Sequence, residues 1–175
     1  MKQSKLAHLR ISSEDLNEEL LRLEQKVETL RSPVVFCHND LLSGNIIYNK
    51  ELNECHFIDV EYSCYSYRGF DIANHFCEFA GFDGNWDKYP TDEYQLRWLS
   101  HYFGINEAEL DPELLHEISV FSLAAHLNWA IWALVQAEIS NLEFDYLEYA
   151  AMRLEQYSKK KVILHNYMAR TRTKT

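Results

Sequence analysis

Residues 118–137 contain no Asp, Glu, Lys or Arg, and an uncharged run of about twenty residues is as long as a helix that crosses a bilayer. Such a run must either span a membrane or lie at the centre of a protein core. Ser119, Ser122, His126, Asn128 and Gln136 fall inside it. Hydrocarbon offers those groups no hydrogen-bonding partners, whereas a packed protein interior does, so the segment reads as a buried core helix and not as a membrane span. The chain can supply what such a helix packs against: of 175 residues 47% are hydrophobic, with nine Phe, four Trp and eleven Tyr against five Gly and three Pro. That balance excludes a disordered, collagen-like or low-complexity chain and predicts a single domain over residues 1–175.

Charge narrows the partners. Acids outnumber bases 27 to 17, giving a formal charge of −10 that repels a phosphate backbone, so nucleic acid is not expected. The bases that follow Glu155, namely Lys159, Lys160, Lys161, Arg170, Arg172 and Lys174, read as a cationic helix end and a solvated tail. Cys37, Cys55, Cys64 and Cys77 form no C-x-x-C pair, and no charged segment followed by an apolar one opens the chain; reduced thiols and a cytoplasmic location are predicted.

Local patterns divide the domain into a leading helix (1–32), a loop and hairpin (33–62) and a helical remainder (63–175). Leu16, Leu20, Leu23, Val27 and Leu30 step by three and four residues behind a Ser12/Asp15 capping box. Pro33 ends that helix, residues 34–37 read as a short buried strand, and residues 46–48 and 56–58 as the arms of a hairpin. Helical periods begin at Asp71, which reads as a structural residue, most simply a helix cap that could also bond the loop before the hairpin, and Gly81 is placed to close the first of these helices. Thr91 and Gly104 bracket a second helix, Asp111-Pro112 opens the uncharged one, and a last helix runs from about Phe144 through Tyr157.

The chemistry is concentrated in residues 34–59. His38, Asp40 and Asn45 fit the spacing H-x-D-x-x-x-x-N between a strand and a hairpin, and Asp59 follows the hairpin's second arm. Phosphoryl transfer to an alcohol requires a carboxylate that orients the hydroxyl and takes its proton, together with oxygen ligands for a Mg²⁺ ion bound to the phosphates. Asp40 suits the first role, Asn45 and Asp59 the second, and His38 braces the loop. Any one of these residues alone is read more simply as a turn-former, a cap or a structural histidine. Only the joint spacing, in its strand–loop–hairpin setting, points to catalysis.

Residues 36–41, 44–46, 58–63 and 68–78, and further on 129–132 and 143–150, resemble the choline/ethanolamine kinase family over roughly residues 30–158. The resemblance implies an α+β, protein-kinase-like C-terminal lobe, mostly helical, with a short β-hairpin carrying the catalytic loop. It implies Asp40 as catalytic base with His38 and Asn45 in the catalytic loop, Asn45 and Asp59 as Mg²⁺ ligands, and ATP as phosphoryl donor. It places Tyr62, Trp129, Trp132, Phe144 and Tyr149 around the amino alcohol, ethanolamine or choline, and it leaves Glu61 near either the cation or the metal. Aromatic faces are independently suited to an ammonium group. The residues of Trp129 and Trp132, three apart on one helix face, are equally suited to ordinary core packing.

Residues 68–71 look more like choline kinases and residues 78–82 more like ethanolamine kinases, and ethanolamine is the preferred expectation. The resemblance covers the family's C-terminal lobe, with about 33 residues before the first catalytic strand and no glycine before Gly44, and the chain is expected to be a fragment or short isoform of a longer kinase or a truncated relative that binds without catalysing. Two alternatives therefore stand beside the kinase. One is a catalytically silent module that forms a homodimer or pairs with a complete kinase; the other is an aminoglycoside-phosphotransferase-like kinase for another small amine.

Overall fold

The capping box expected at Ser12 forms: the Ser12 N–H donates to Asp15 Oδ2 and the Asp15 N–H to Ser12 Oγ, at 2.9 and 3.1 Å. It opens helix α1, Ser13–Thr29, in a computed structural model that describes residues 12–172. Strand β1 (Val34–Cys37) follows, then a 3₁₀ turn (Ser43–Asn45), β2 (Ile46–Asn49), β3 (Glu54–Phe57) and β4 (Cys64–Tyr67). Four helices complete the chain: α2 (Arg68–Glu78), α3 (Asp92–Phe103), α4 (Leu114–Ile139) and α5 (Tyr146–Arg172). Thr91 and Gly104 cap α3 as expected, the threonine hydroxyl accepting the Tyr94 N–H and the glycine taking φ 66°.

The chain divides into two units. Residues 12–29 and 123–172 form one, and Leu30–Ser122 the other, so that the long helix α4 contributes to both. In the first, Leu23 and Val27 of α1, Leu127, Ala130 and Ala133 of α4, and Ala150 and Leu154 of α5 are buried. Glu19 joins α1 to α5 by accepting from Tyr157 OH at 2.6 Å and from Lys161. In the second, Ile72, Phe76 and Leu99 are buried along with Ile118 and Phe121 of α4. Helix α4 is long and apolar enough to cross a membrane, with a mean hydropathy of 1.6 over its most apolar stretch. That same stretch is 61% buried inside the protein, which is the environment expected of a core helix.

Four expectations need correction. Strand β1 is not buried throughout: Val34 and Phe36 are 58% and 68% exposed, because β1 belongs to a two-stranded ribbon in which the Phe36 and Tyr65 rings meet in edge contact on an exposed face. Its partner β4 went unread in the sequence, although Cys64-Tyr65-Ser66-Tyr67 alternates in the manner of a strand. Helix α2 begins three residues before Asp71 and ends at Glu78, with Gly81 (φ 68°) in the turn beyond. Helix α5 begins at Tyr146, where Asp145 Oδ1 accepts the Glu148 N–H, and continues past Tyr157 to Arg172. Lys159 therefore pairs with Glu155 inside α5 and Lys161 with Glu19 of α1, instead of ending a helix, and Lys174 lies outside the described residues.

Helix α2 is anchored at its start. Gly69 N–H donates to Ser32 Oγ at 3.1 Å, and that hydroxyl in turn donates to Glu117 of α4. A Cβ at position 69 would stand 2.6 Å from Glu117 Oε1 and collide with the Phe121 ring, so only glycine lets α2 approach this closely. Arg68 adds a guanidinium over the Phe103 ring at 4.9 Å. What this rigid start positions is the polar side of α2.

Candidate active site

That polar side is Asp71, Asn74 and His75, spaced i, i+3, i+4 on a helix whose other face is core. Of the two roles expected for Asp71, the structure shows the bond to the loop and not the helix cap. The two Asp71 carboxylate oxygens accept the main-chain N–H groups of His38 and Asn39, at 3.1 and 2.7 Å. Asn74, fully buried, donates to the Asn39 carbonyl at 3.0 Å, and His75 Nδ1 bonds the Leu41 carbonyl at 2.7 Å. Three side chains of one helix thus hold the backbone of residues 38–41. Asn39 itself sits at φ 64°, a conformation asparagine tolerates better than most residues, and donates its side-chain amide to the Tyr62 carbonyl.

The predicted residues are arranged on this braced loop. The main-chain N–H of Asp40 donates to His38 Nδ1 at 3.3 Å, so the imidazole proton is on Nε2, which donates to the Ile58 carbonyl at 2.9 Å. Both ring nitrogens of His38 are occupied in joining the loop to the segment that carries Asp59. Asn45 folds back across the loop and donates its amide to the Asp40 carbonyl at 2.8 Å and to Asp40 Oδ2 at 3.3 Å. The Asn45 carbonyl accepts the Ile58 N–H, which ties the 3₁₀ turn to the same segment. The remaining oxygen of Asp40 makes no hydrogen bond among the described residues.

Burial pushes the Asp40 carboxyl up to about 6, with the Glu78 and Asp59 charges adding to the rise and His38 and Asn45 opposing it. A carboxylate poised there holds its proton-accepting form at neutral pH while remaining a usable base. Glu78, at the end of α2, was not singled out in the sequence; the signal was its place one turn beyond His75 on the helix that holds the loop.

The donor set fits a hard divalent cation. Asn45 has its NH₂ engaged, which leaves its amide oxygen as the available donor, and Asp59 is exposed at φ 60° with no hydrogen bond or ion pair among the described residues. No group of three or more His, Cys, Asp or Glu converges among the described residues, so a closed protein cage is not built. Two oxygen ligands completed by phosphates and water are what Mg²⁺ ordinarily takes. Glu61 is exposed and makes no hydrogen bond or ion pair among the described residues.

Four predicted aromatic residues lie in the other unit and form a continuous cluster. Trp129 and Trp132 are in edge contact at 5.4 Å, Trp132 meets Tyr146 at 5.6 Å, Tyr146 meets Phe144 at 4.9 Å, and Phe144 meets Tyr149 at 5.8 Å. Trp129, Tyr146 and Tyr149 are buried, Trp132 is half-buried and Phe144 is exposed. Tyr146 was missed in the sequence, although it opens α5 beside Phe144. So was Arg153, a buried cation on the inward stripe of α5. It donates to Tyr149 OH and to the Ala125 carbonyl, and its guanidinium lies 5.7 Å from the Tyr149 ring centre. One face of Tyr149 is therefore already taken. Tyr62 belongs to the unit of the loop and is half-buried.

The family model described as choline/ethanolamine kinase matches residues 1–158. The chain belongs to the choline/ethanolamine kinase family. It is 44% identical over 157 residues to a probable ethanolamine kinase of Arabidopsis thaliana, covering 86% of this chain and 42% of that protein. It is 45% identical over 161 residues to human ethanolamine kinase 1, covering 86% and 36%. Among solved structures, an ethanolamine kinase of Plasmodium vivax superposes with a TM-score of 0.81 at 38% identity, covering 89% of this chain and 42% of that one. A choline kinase of Cryptosporidium parvum does so at 0.71 and 26%, covering 95% and 54%. The choline/ethanolamine kinase fold expected from the sequence, mostly helical with small antiparallel pairs of strands, is the fold observed. The chain spans about two-fifths of the length of the curated relatives it matches.

Proposed function

We propose that the chain carries the catalytic loop and amino-alcohol site of a cytoplasmic kinase that transfers the γ-phosphoryl group of ATP to the hydroxyl of ethanolamine. The product begins phospholipid head-group synthesis. The single observation behind this reading is the clamp on Asp40: Asn45 occupies one carboxylate oxygen and leaves the other for a substrate hydroxyl. Asp40 accepts that hydroxyl's proton as the oxygen attacks phosphorus. His38 holds the loop against residue 58 without reacting, since both its nitrogens are used. Asn45 and Asp59 would hold Mg²⁺, which would supply neutralisation of charge on the phosphates when bound.

The aromatic cluster of Trp129, Trp132, Phe144 and Tyr149 receives the ammonium group, each desolvated contact contributing roughly 0.5–2 kcal/mol. A small enclosed cation suits such rings better than a polyhydroxy amine, which argues against an aminoglycoside-type substrate. The relatives named ethanolamine kinase, at about 45% identity, favour ethanolamine over choline. A panel of ethanolamine, choline and an aminoglycoside, with ATP consumption as readout on the intact kinase, tests the reading. Turnover should be highest with ethanolamine and should need Mg²⁺; aminoglycoside-dependent turnover without ethanolamine-dependent turnover would replace it.

A further inference from the structure

Strands β1 and β4 pair antiparallel with Val34 opposite Tyr67, and the last pair in that register is Cys37 opposite Cys64. Directly opposed residues of an antiparallel pair project to the same face of the ribbon. The Arg68 N–H donates to the Pro33 carbonyl one step outside the register, at 2.9 Å. Hydrogen-bonded and open pairs alternate along the ribbon, so Cys37 and Cys64 occupy a hydrogen-bonded pair, where Cα atoms lie roughly 5.5 Å apart. Disulfides form across Cα separations of about 4.4–6.8 Å but bring the Cβ atoms to about 3.5–4.5 Å, closer than a hydrogen-bonded pair holds them, so closing the bond draws the two strands together at this end of the ribbon. Both thiols are free; Cys37 is buried and Cys64 exposed. The pair also closes the base of the catalytic loop, since Cys37 immediately precedes His38 and Cys64 follows Ser63, whose hydroxyl donates to the His38 carbonyl at 3.4 Å.

We propose that Cys37 and Cys64 form a redox-modification site, closing to a cross-strand disulfide under a peroxide and loosening the loop that carries Asp40. Hydrogen peroxide oxidises the exposed Cys64 thiol to a sulfenic acid and releases one water. The Cys37 sulfur then attacks the Cys64 sulfur, the S–O bond breaks, and a second water leaves. Two thiols thereby lose two electrons and two protons, and one peroxide becomes two waters.

The reduced sulfurs have structural duties that the bond removes. Cys37 Sγ donates to the carbonyls of Val35 and Ser66 at 3.5 and 3.4 Å, and Cys64 Sγ accepts from the Asn39 side-chain amide at 3.4 Å. Asn39 sits at positive φ between His38 and Asp40, held there by its surroundings. Moving the Cys64 sulfur off the Asn39 amide weakens one of those holds and transmits the change to the neighbouring Asp40.

The test uses the 175-residue chain, with hydrogen peroxide followed by alkylation and non-reducing peptide mapping. A loss of about 2 Da from the intact mass with one Cys37–Cys64 linked peptide is expected, reversed by dithiothreitol. Cys37 is buried and its replacement risks the fold, so the variants are Cys64→Ser, which should lose the link, and Cys55→Ser, which should keep it. Amide exchange over residues 38–45 should be faster in the oxidised protein than in the reduced. Cys64 ending as a sulfinic acid, or bridged to Cys55 or to a second chain, would overturn the site. A Cys37–Cys64 link that leaves exchange over residues 38–45 unchanged would overturn the coupling to the loop. Neither readout depends on kinase activity, so failure here leaves the catalytic reading untouched.

Discussion

Asp40 is the residue on which chemistry and stability make opposite demands. Its folded carboxyl, pushed up to about 6 from 3.8, binds a proton more readily than in the unfolded chain. Whatever stability that proton contributes is present below the unfolded value and is lost as pH rises through about 6. In Mg²⁺-free buffer Asp40→Asn should therefore raise the melting temperature at pH 8 relative to wild type and change it little at pH 4.5; a loss of stability at pH 8 would contradict the desolvated carboxylate. The same substitution in the intact kinase should lower kcat by roughly 10²–10⁴-fold, as expected for removal of a general base, with little change in substrate affinity. Unchanged kcat in a coupled ATP assay removes Asp40 from the mechanism. The two tryptophans should separate in a similar way. Trp129 is buried, and Trp129→Ala should cost about 3–5 kcal/mol of stability through a cavity. Trp132 is only half-buried, so Trp132→Ala should cost less stability but weaken amino-alcohol binding by roughly 1–2 kcal/mol, measured by fluorescence titration on protein still folded at the assay temperature. Equal affinity in the folded Trp132 variant returns that ring to the core.

At the scale of elements, α2 is what converts a flexible loop into a defined one. Each of its three polar residues satisfies main-chain groups of residues 38–41 that no strand or helix pairs. Asp71→Ala strands two N–H donors that faced a charged acceptor and should destabilise the chain by about 1.5–3 kcal/mol in urea unfolding; an unchanged midpoint would show that water replaces the carboxylate at no cost. The sequence carried much of this arrangement. Ser12 with Asp15, Thr91 and Gly104 marked helix ends by local chemistry, and the loop spacing from His38 to Asn45 was local as well. The bracing was legible only as the second of two roles: an acid near a helix start is read first as a cap that could also bond the loop, and with Asp71 32 residues from Asn39 nothing local decides between them. Strand β4 was missed for a related reason: four residues with two tyrosines declare an alternation but not a partner. The end of α5 was misplaced because Lys159, Lys160 and Lys161 look like a helix terminus unless Glu19, on a helix far off in sequence, is known to bind the last of them.

For the molecule as a whole, the unit of residues 30–122 leaves large apolar side chains in water on both of its ribbons. Val34, Phe36 and Tyr65 of the β1–β4 pair are 58%, 68% and 78% exposed, and Ile47 and Phe57 of the β2–β3 pair are exposed also. Single exposed apolar residues are ordinary on protein surfaces, but Phe36 and Tyr65 touch each other at 5.8 Å and Val34 shares their face of the ribbon. Grouped apolar surface of this kind favours association. The isolated 175-residue chain should therefore bind a hydrophobic dye and scatter light as more than a monomer at high concentration. The paired substitution Phe36→Ser with Tyr65→Ser should reduce both signals while leaving the melting temperature close to wild type, because neither ring is buried in the core. If dye binding and association survive that pair of changes, the apolar contact lies elsewhere on the chain, and the exposed groove of α1 and α5 lined by Leu16, Tyr157 and Val162 becomes the next surface to alter.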